Sequence, residues 1–159
     1  MRSQGRGCVR KVSILVVSPP ALSQIIEYLF RDRPEFEVVG RLSGLRSVGQ
    51  QVGRLRPELI VANVKPVTTA VCQVVASIKR SSPLSKLILV CPARDFMTSA
   101  RRCGADACLE HEELVRRLFK TAWVLSARPK PPASRNRRAR VTRSFPAQEK
   151  NGTQKRRDQ

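Results

Sequence analysis

Short apolar runs alternate along the chain with segments whose apolar residues recur every three or four positions. The runs predict buried strands, because nearly continuous apolar strands are typical of parallel sheets that are covered on both faces. They span residues 12–17, 36–39, 58–63, 86–91 and 107–109. Gly40 is expected to close the second strand, and Pro92 marks the exit from the fourth.

Each apolar run is followed by a segment with helical spacing. The first has Leu22, Ile26 and Phe30 on one stripe, and the others lie at about 48–55, 67–79, 96–103 and from about 112 onward. The helix at 48–55 is expected to be polar and exposed, and to end before Pro57. Five strand–helix repeats with short connections predict an α/β fold, a doubly wound five-stranded parallel sheet with helices on both faces.

Positive charge is concentrated at the two ends of the chain. The protein has 159 residues, with 31 Lys and Arg against 12 Asp and Glu, for a net charge of +19. Residues 128–159 open with a proline cluster and lack the apolar periodicity that would bury a face. We therefore predict three parts, a basic N-terminal extension at 1–11, a folded domain at 12–127, and a disordered basic tail at 128–159.

The arginines of this tail are candidate ligands for nucleic-acid phosphates or for an acidic partner. A polycation binds a phosphate backbone by counterion release, without reading sequence. The alternative is a solvated tail that has no ligand. The arginines are Arg135, Arg137, Arg138, Arg140 and Arg143. Too few apolar residues follow position 127 for a helix-turn-helix, so we do not expect sequence-specific DNA binding by this chain.

The apolar runs are too short for a membrane span, which needs about 20 residues. The basic start followed by residues 12–17 has some features of a signal peptide. Pro19 and Pro20 end that apolar segment, however, before it reaches the usual length of about 7–15 residues. We therefore expect a cytoplasmic protein with no membrane partner.

In a doubly wound sheet, ligands bind beyond the carboxyl ends of the strands. Ser18, Pro19, Asn63, Cys91 and His111 follow or end the predicted strands, so any chemistry is expected at these positions. His111 is the only histidine, and without an obvious Ser or Asp partner near it in the sequence a nucleophilic triad has no specific support. We therefore predict no catalytic residue and no cofactor.

The five cysteines, an odd number without a CxxC pair, do not suggest a disulfide framework. Cys103, Cys108 and His111 form the tightest grouping of metal-ligand residues, with Cys91 as a fourth candidate. Their spacing is irregular for zinc, and small buried cysteines are common in cores. We therefore expect no metal site.

Three short segments together resemble a known family. They are Pro34-Glu-Phe-Glu-Val-Val-Gly40, Leu55-Arg-Pro-Glu-Leu-Ile-Val61 and Gly104-Ala-Asp106. In order and spacing they are similar to the bacterial response-regulator receiver domain of two-component signalling, over residues 12–127. The resemblance implies a (βα)5 flavodoxin-like receiver fold and a role in signal transduction.

In that family an acidic pair binds magnesium, an aspartate accepts the phosphoryl group, and a hydroxyl residue and a lysine sense it. The resemblance places Ser18 and Pro19 at the acidic pair, Asn63 at the acceptor, and Cys91 and His111 at the switch positions. An amide lacks the anionic oxygen that attacks phosphorus, and no carboxylate precedes Glu27 to hold magnesium. The chain is thus expected to be a degenerate, non-enzymatic receiver that binds a protein partner without phosphorylation.

Partners of the family dock on the face built by the fourth helix, fifth strand and fifth helix. Here that face carries Arg101, Arg102, Arg116, Arg117 and Lys120. Such charge favours an acidic partner or nucleic acid, and it opposes self-association at low salt. A homodimer through this face is kept as an alternative. Two other functions also stay open, a nucleic-acid-associated regulator that binds through its tail and a phosphorelay receiver phosphorylated at a non-standard residue.

Overall fold

Strands and helices alternate along the folded part of the chain, as the apolar pattern predicts. The computed structural model describes residues 10–92 and 95–126, with the backbone alone at 95–97. The elements are β1 (Val12–Val17), α1 (Pro20–Arg31), β2 (Phe36–Leu42), α2 (Val48–Leu55), β3 (Leu59–Asn63), α3 (Thr69–Ser81), β4 (Lys86–Cys91), α4 (Asp95–Arg102), β5 (Ala107–Glu110) and α5 (Leu114–Ser126). A short 3₁₀ helix, Leu45–Ser47, precedes α2.

The strands form one parallel sheet in the order β2-β1-β3-β4-β5. The chain adds β2 on one side of β1 and then β3, β4 and β5 on the other, so the direction of winding reverses next to β1. The predicted doubly wound α/β fold is confirmed. Its ligand-binding edge is the one at which the carboxyl ends of the strands meet.

Two apolar layers cover the two faces of the sheet. Helices α2, α3 and α4 cover one face, with Val52 and Ile78 among the buried side chains. Helices α1 and α5 cover the other face, with Ile26 and Leu118 fully buried. Because both faces are buried, the strands carry continuous apolar runs rather than an alternating pattern.

The second strand does not stop at Gly40, where the sequence predicted its end, but runs on to Leu42. Its pairing with β1 shifts register between Ile14 and Leu15. A Cβ atom at position 40 would lie 2.8 Å from Leu55 Cδ1 and 3.0 Å from Leu15 Cδ1. This glycine therefore permits close packing inside the strand and does not act as a breaker.

Helix α2 is more buried than predicted. Val48 and Val52, one turn apart, are both 0% exposed and pack into the core beneath α3. The helix ends as expected before Pro57, with Arg56 in the left-handed region at φ 44°. The prediction of a polar, exposed helix holds for Gln50 and Arg54, which are exposed, but not for the face of Val48 and Val52, whose helical spacing is enough to bury it.

Asp106 ties together three elements at the edge where the strands begin. Its carboxylate accepts hydrogen bonds from Lys79 Nζ and, at 2.8 Å, from the backbone N–H of Leu87. Lys86 Nζ lies 3.6 Å away. Partial burial opposes the charged form, but the hydrogen bonds and the two ammonium groups hold the pKa of Asp106 below its ordinary value. The carboxylate thus links α3 and β4 to the start of β5.

Cys72 of α3 and Cys103, which follows α4, form a disulfide, with their Cα atoms 4.7 Å apart. The sequence argued against a disulfide framework and did not predict this single pair. The two residues are 31 positions apart, and only the packing of α4 beside α3 brings them together. Cys91 and Cys108 are free and buried, and Cys8 lies outside the described residues.

The tail at 128–159 with its arginines, and all but the last two residues of the N-terminal extension, lie outside the described residues. Their predicted disorder and the predicted domain boundaries stay predictions. In the part of the chain that is described, no helix has both the length and the apolar character to cross a membrane.

Candidate functional site

The residues selected from the sequence lie at the carboxyl edge of the sheet. Ser18 and Pro19 directly follow β1, Asn63 ends β3, Cys91 ends β4, and His111 directly follows β5. Strands β1, β3, β4 and β5 are consecutive neighbours in the sheet, spaced about 4.8 Å apart, so their ends form a row. The topology thus brings these five residues to one edge.

Asn63 and His111 are joined directly. His111 Nε2 lies 2.7 Å from Asn63 Oδ1, and both residues are partly buried. An amide oxygen only accepts hydrogen bonds, so Nε2 carries the proton and donates it. The bond connects the end of β3 with the end of β5 across the end of β4, the strand between them.

The imidazole is fixed in place and neutral at physiological pH. Burial first, and then the nearby charge of Lys65, lower the pKa of His111 from its ordinary value of 6.5. The backbone N–H of His111 donates to the carbonyl oxygen of Cys91 at 3.0 Å, which anchors the residue to β4. His111 therefore donates a hydrogen bond to Asn63 from a neutral ring. A lysine side chain at this position would carry a positive charge.

After β1, the hydroxyl groups of Ser18 and Ser23 are hydrogen-bonded to each other. Ser18 is 3% exposed and Ser23 is 6% exposed. Their Oγ atoms lie 2.8 Å apart, and Ser23 Oγ donates to the carbonyl oxygen of Ser18 at 3.1 Å. Pro19 is the N-cap of α1, and its carbonyl oxygen accepts from the N–H groups of Leu22 and Ser23. The loop presents neutral oxygens and no carboxylate, a poor donor set for a hard divalent cation.

The thiol of Cys91 is fully buried and is a weak nucleophile at neutral pH. Its side chain belongs to the layer under α2, α3 and α4, together with Cys108. Burial, followed by the neighbouring Cys108, raises the pKa of the Cys91 thiol to about 11, and burial also raises that of Cys108. The thiol stays protonated at neutral pH and so lacks the nucleophilic thiolate form.

The residues grouped from the sequence as a zinc candidate are not assembled into a site. Cys103 is bonded to Cys72, and His111 is hydrogen-bonded to Asn63. Among the described residues, no group of three or more His, Cys, Asp or Glu side chains is arranged to hold a metal ion.

Sequence reasoning missed two residues that shape this edge, Ser23 and Lys65. Ser23 lies one turn into α1 and is the partner of Ser18, and Lys65 lies two positions after Asn63 and acts on His111. Both are close in sequence to selected residues. The available signal in the sequence was spacing, because Ser23 falls on the same helical stripe as Ile26 and Phe30.

A cleft of about 290 Å³ opens beside this edge, between α1 and the end of β2. Ser18, Ser23, Glu27 and Arg41 are among the residues that line it. Arg41 forms an ion pair with Glu27, so the base and the acid of the cleft neutralise each other. The cleft therefore has no net charge with which to select an ionic ligand.

The similarity of this chain to known proteins lies in its fold. No protein-family model matches the sequence, and no curated protein matches it. Among solved structures, the DNA-binding response regulator of the LuxR family from Staphylococcus aureus is similar, with a TM-score of 0.63 and 15% identity over 73% of this chain and 99% of that one. The chain has the receiver fold.

Other solved structures agree with this assignment. The response regulator domain of Thermotoga maritima CheB has a TM-score of 0.62 and 16% identity, covering 76% of this chain and all of that one. The isolated REC domain of RcsB from Salmonella enterica serovar Typhimurium, in the presence of the phosphomimetic BeF3−, has a TM-score of 0.64 and 11% identity, covering 73% and 88%. Identities this low establish the receiver fold alone.

Proposed function

We propose that this protein is a signalling module with a degenerate receiver domain that binds a protein partner without being phosphorylated. The hydrogen bond of 2.7 Å between Asn63 and His111 carries the proposal. It joins the residue at the phosphoacceptor position to the residue at the lysine position, so the two hold each other without a phosphoryl group between them.

The chemistry of the edge supports the proposal. Phosphoryl transfer to a receiver needs a carboxylate nucleophile, and the amide oxygen of Asn63 is neutral and already accepts a hydrogen bond. It also needs a divalent cation, and the loop after β1 offers the paired hydroxyls of Ser18 and Ser23. Because the acceptor and the cation ligands are changed together, the proposal assigns the domain no enzymatic step.

The partner surface we propose is the face of α4, β5 and α5. Arg101, Arg102, Arg116, Arg117 and Lys120 are all exposed there. Val124 of α5 is 64% exposed and lines a groove of about 320 Å³ between α5 and the start of β5. An exposed apolar side chain within a basic rim suits a protein partner that is itself acidic.

The test is incubation of the full chain with acetyl phosphate and magnesium, followed by intact-mass measurement. We expect no phosphorylated species. The single variant Asn63→Asp is also expected to stay unmodified, because the acidic pair for magnesium is still missing. Phosphorylation of the unaltered chain at any residue would contradict the proposal and favour a phosphorelay receiver with a non-standard acceptor.

A variant with restored carboxylates tests whether their absence explains the lack of phosphorylation. Ser18→Asp, Pro19→Asp and Asn63→Asp together rebuild both carboxylate sets, and Asp is a favourable N-cap residue at position 19. Phosphorylation of this triple variant, but not of Asn63→Asp, would show that the missing metal ligands block the chemistry. Robust phosphorylation of Asn63→Asp alone would refute the metal argument.

A second candidate function is a nucleic-acid-associated regulator that binds through its tail, which the excess of bases in residues 128–159 favours. Its test is a full-chain variant with Arg135, Arg137 and Arg140 changed to Gln. If the tail binds, the slope of log affinity for a DNA duplex against log salt should become less steep by up to about 2.7, at about 0.9 for each phosphate that the variant no longer neutralises. An unchanged slope would remove this candidate.

A further inference from the structure

The amino edge of the sheet, opposite Asn63 and His111, carries a row of exposed bases. Strands begin and helices end at this edge, because each helix of a parallel α/β fold runs back against the strands. The bases are Lys11 before β1, Arg33 before β2, Arg54 and Arg56 at the end of α2, and Arg80 at the end of α3, and all are exposed. We call these five residues the basal patch.

Hydrogen bonds join the segments in which β1, β2, β3 and β4 begin. The N–H of Val12 donates to the carbonyl of Glu35 at 2.7 Å, which connects the starts of β1 and β2. The N–H of Lys86 donates to the carbonyl of Glu58 at 2.9 Å, which connects the starts of β3 and β4. Glu58 also accepts from Arg10 Nη2 at 3.2 Å, which links the β1 side to the β3 side. The starts of β1, β2, β3 and β4 are therefore held together at this edge.

Bases outnumber carboxylates at this edge, where Asp32 and Glu35 lie beside Arg33 in the loop before β2. Helices α2 and α3 contain no Asp or Glu. At this edge, Glu58 is engaged by Arg10, and Asp106 by Lys79 and Lys86. Within residues 10–92 and 95–126, no ion pair involves any of the five patch bases.

The carboxyl edge has a different balance. There, Arg41, Arg46 and Lys65 are accompanied by three acids in or next to the loop after β5, Glu110, Glu112 and Glu113, the last of which is paired with Arg117. Bases and acids are thus closer to balance at this edge than at the amino edge.

One of the patch arginines is held in place in advance. The guanidinium of Arg33 stacks on the ring of Phe119, 4.1 Å from its centroid, which leaves its N–H edge free to bind an anion. Side chains ordered before binding lose less entropy when a ligand arrives.

From these observations we propose that the basal patch is a docking surface for the phosphate backbone of a nucleic-acid duplex. Four of its five bases are arginines, whose planar guanidinium matches phosphate oxygens in a bidentate way. The starts of β2, β1, β3 and β4 span about 14 Å, at about 4.8 Å per strand. A duplex presents phosphates on both sides of its major groove, which is about 12 Å wide, so bases spread along this edge can contact several phosphates.

The proposal goes beyond the signalling role, because it gives the folded domain a ligand of its own at the edge remote from Asn63. Such binding neutralises phosphates and releases counterions, so it is sensitive to salt and indifferent to base sequence. An anionic membrane is the competing ligand class, since Leu84 in the loop before β4 is 90% exposed and offers an apolar anchor.

The test measures binding of the full chain to a labelled DNA duplex by fluorescence anisotropy, over a range of salt. The patch variant combines Lys11→Gln, Arg54→Gln and Arg80→Gln, three exposed bases from before β1, from α2 and from α3. We expect the slope of log affinity against log salt to become less steep by about 2.7, for three phosphates at about 0.9 each. A Lys11→Arg, Arg54→Lys, Arg80→Lys variant keeps the charge and should keep the salt slope of the unaltered chain, because the slope counts neutralised phosphates.

A matched control removes the same charge elsewhere. It combines Arg41→Gln, Arg46→Gln and Lys65→Gln, which are exposed and lie at the carboxyl edge, and its slope should change by less than about 0.9. The tail is identical in all variants, so the difference between the two triples reports on the patch. An equal decrease of the slope in both triples, or no decrease in the patch variant, would overturn the proposal.

Vesicles that contain phosphatidylserine distinguish the competing ligand class. We expect the affinity of the patch variant to fall by a larger factor for the duplex than for the vesicles. A decrease confined to vesicles would overturn the nucleic-acid assignment in favour of a membrane surface. Thermal unfolding followed by circular dichroism checks that every variant keeps the fold.

Discussion

Replacing Asp106 with alanine is expected to lower the free energy of unfolding by about 2–3 kcal/mol, because it removes two charge-assisted hydrogen bonds. The carboxylate accepts from the ammonium of Lys79 and, at 2.8 Å, from the N–H of Leu87. Hydrogen bonds to charged groups contribute about 1.5–3 kcal/mol each. We take the lower end of that range, since the side chain is 20% exposed and solvent screens part of the interaction.

The isosteric variant Asp106→Asn separates charge from shape. The amide keeps a carbonyl oxygen for Leu87 N–H but has no charge for Lys79 and Lys86, so we expect a decrease of about 1 kcal/mol. Glu113→Gln is the matched control. It removes the carboxylate of an ion pair of 2.8 Å on the surface of α5, whose partner Arg117 is 56% exposed, and its expected cost is about 0.3–0.5 kcal/mol.

The stabilisation by Asp106 depends on pH with a defined sign. The pKa of Asp106 is lower in the folded protein than its ordinary value of 3.8. The contribution is therefore fully present above the unfolded pKa and is lost as the pH falls through the lower, folded pKa. The stability difference between the unaltered protein and Asp106→Asn should shrink in acid.

The assay is urea unfolding followed by circular dichroism, near neutral pH and again at about pH 3, below the ordinary pKa of aspartate. A decrease of about 2–3 kcal/mol also corresponds to a melting temperature lower by about 6–12 °C for a domain of this size. The reasoning fails if Asp106→Ala costs no more than Glu113→Gln, or if the effect of Asp106→Asn is the same at both pH values.

Three further outcomes follow from the packing. Cys72→Ser should lower stability by about 3–4 kcal/mol under oxidising conditions, from the loop of 31 residues that the disulfide closes, and dithiothreitol should then have no further effect on its melting temperature. The thiols of Cys91 and Cys108 should react with an alkylating reagent only after unfolding, because burial raises the pKa of each, and peptide mapping by mass spectrometry reads this directly. Leu118→Ala, at 0% exposure, should cost about 3–5 kcal/mol in urea unfolding, whereas Val115→Ala, at 63% exposure on the same helix, should cost under about 0.5 kcal/mol.

The sequence predicts the fold well because the sheet is buried on both faces. Strands β1 and β4 span the residues predicted for them, since each is a continuous apolar run followed directly by a turn residue. Element ends were less well predicted where the deciding contact is distant. Gly40 continues β2 because Leu55 and Leu15 pack against it, a fact that local sequence does not contain.

The sequence predicts where the residues of the candidate site lie but not which partners they bind. Five residues at strand ends could be selected because topology brings strand ends to one edge. Their partners depend on tertiary contacts, and the bond between Asn63 and His111 joins residues 48 positions apart. The same holds for the disulfide between Cys72 and Cys103 and for the ion pair between Lys79 and Asp106, which only the packing of the helices brings together.

The most direct test of the central claim is a two-dimensional NMR titration of the full, isotope-labelled chain with magnesium and beryllofluoride. Beryllofluoride mimics a phosphoryl group on an aspartate, and Asn63 offers it no carboxylate. The account predicts no saturable shift of the resonances of Asn63, Lys65 or His111, and a saturable shift in the variant that carries Ser18→Asp, Pro19→Asp and Asn63→Asp. A saturable shift in the unaltered chain at these residues would contradict a phosphorylation-independent receiver.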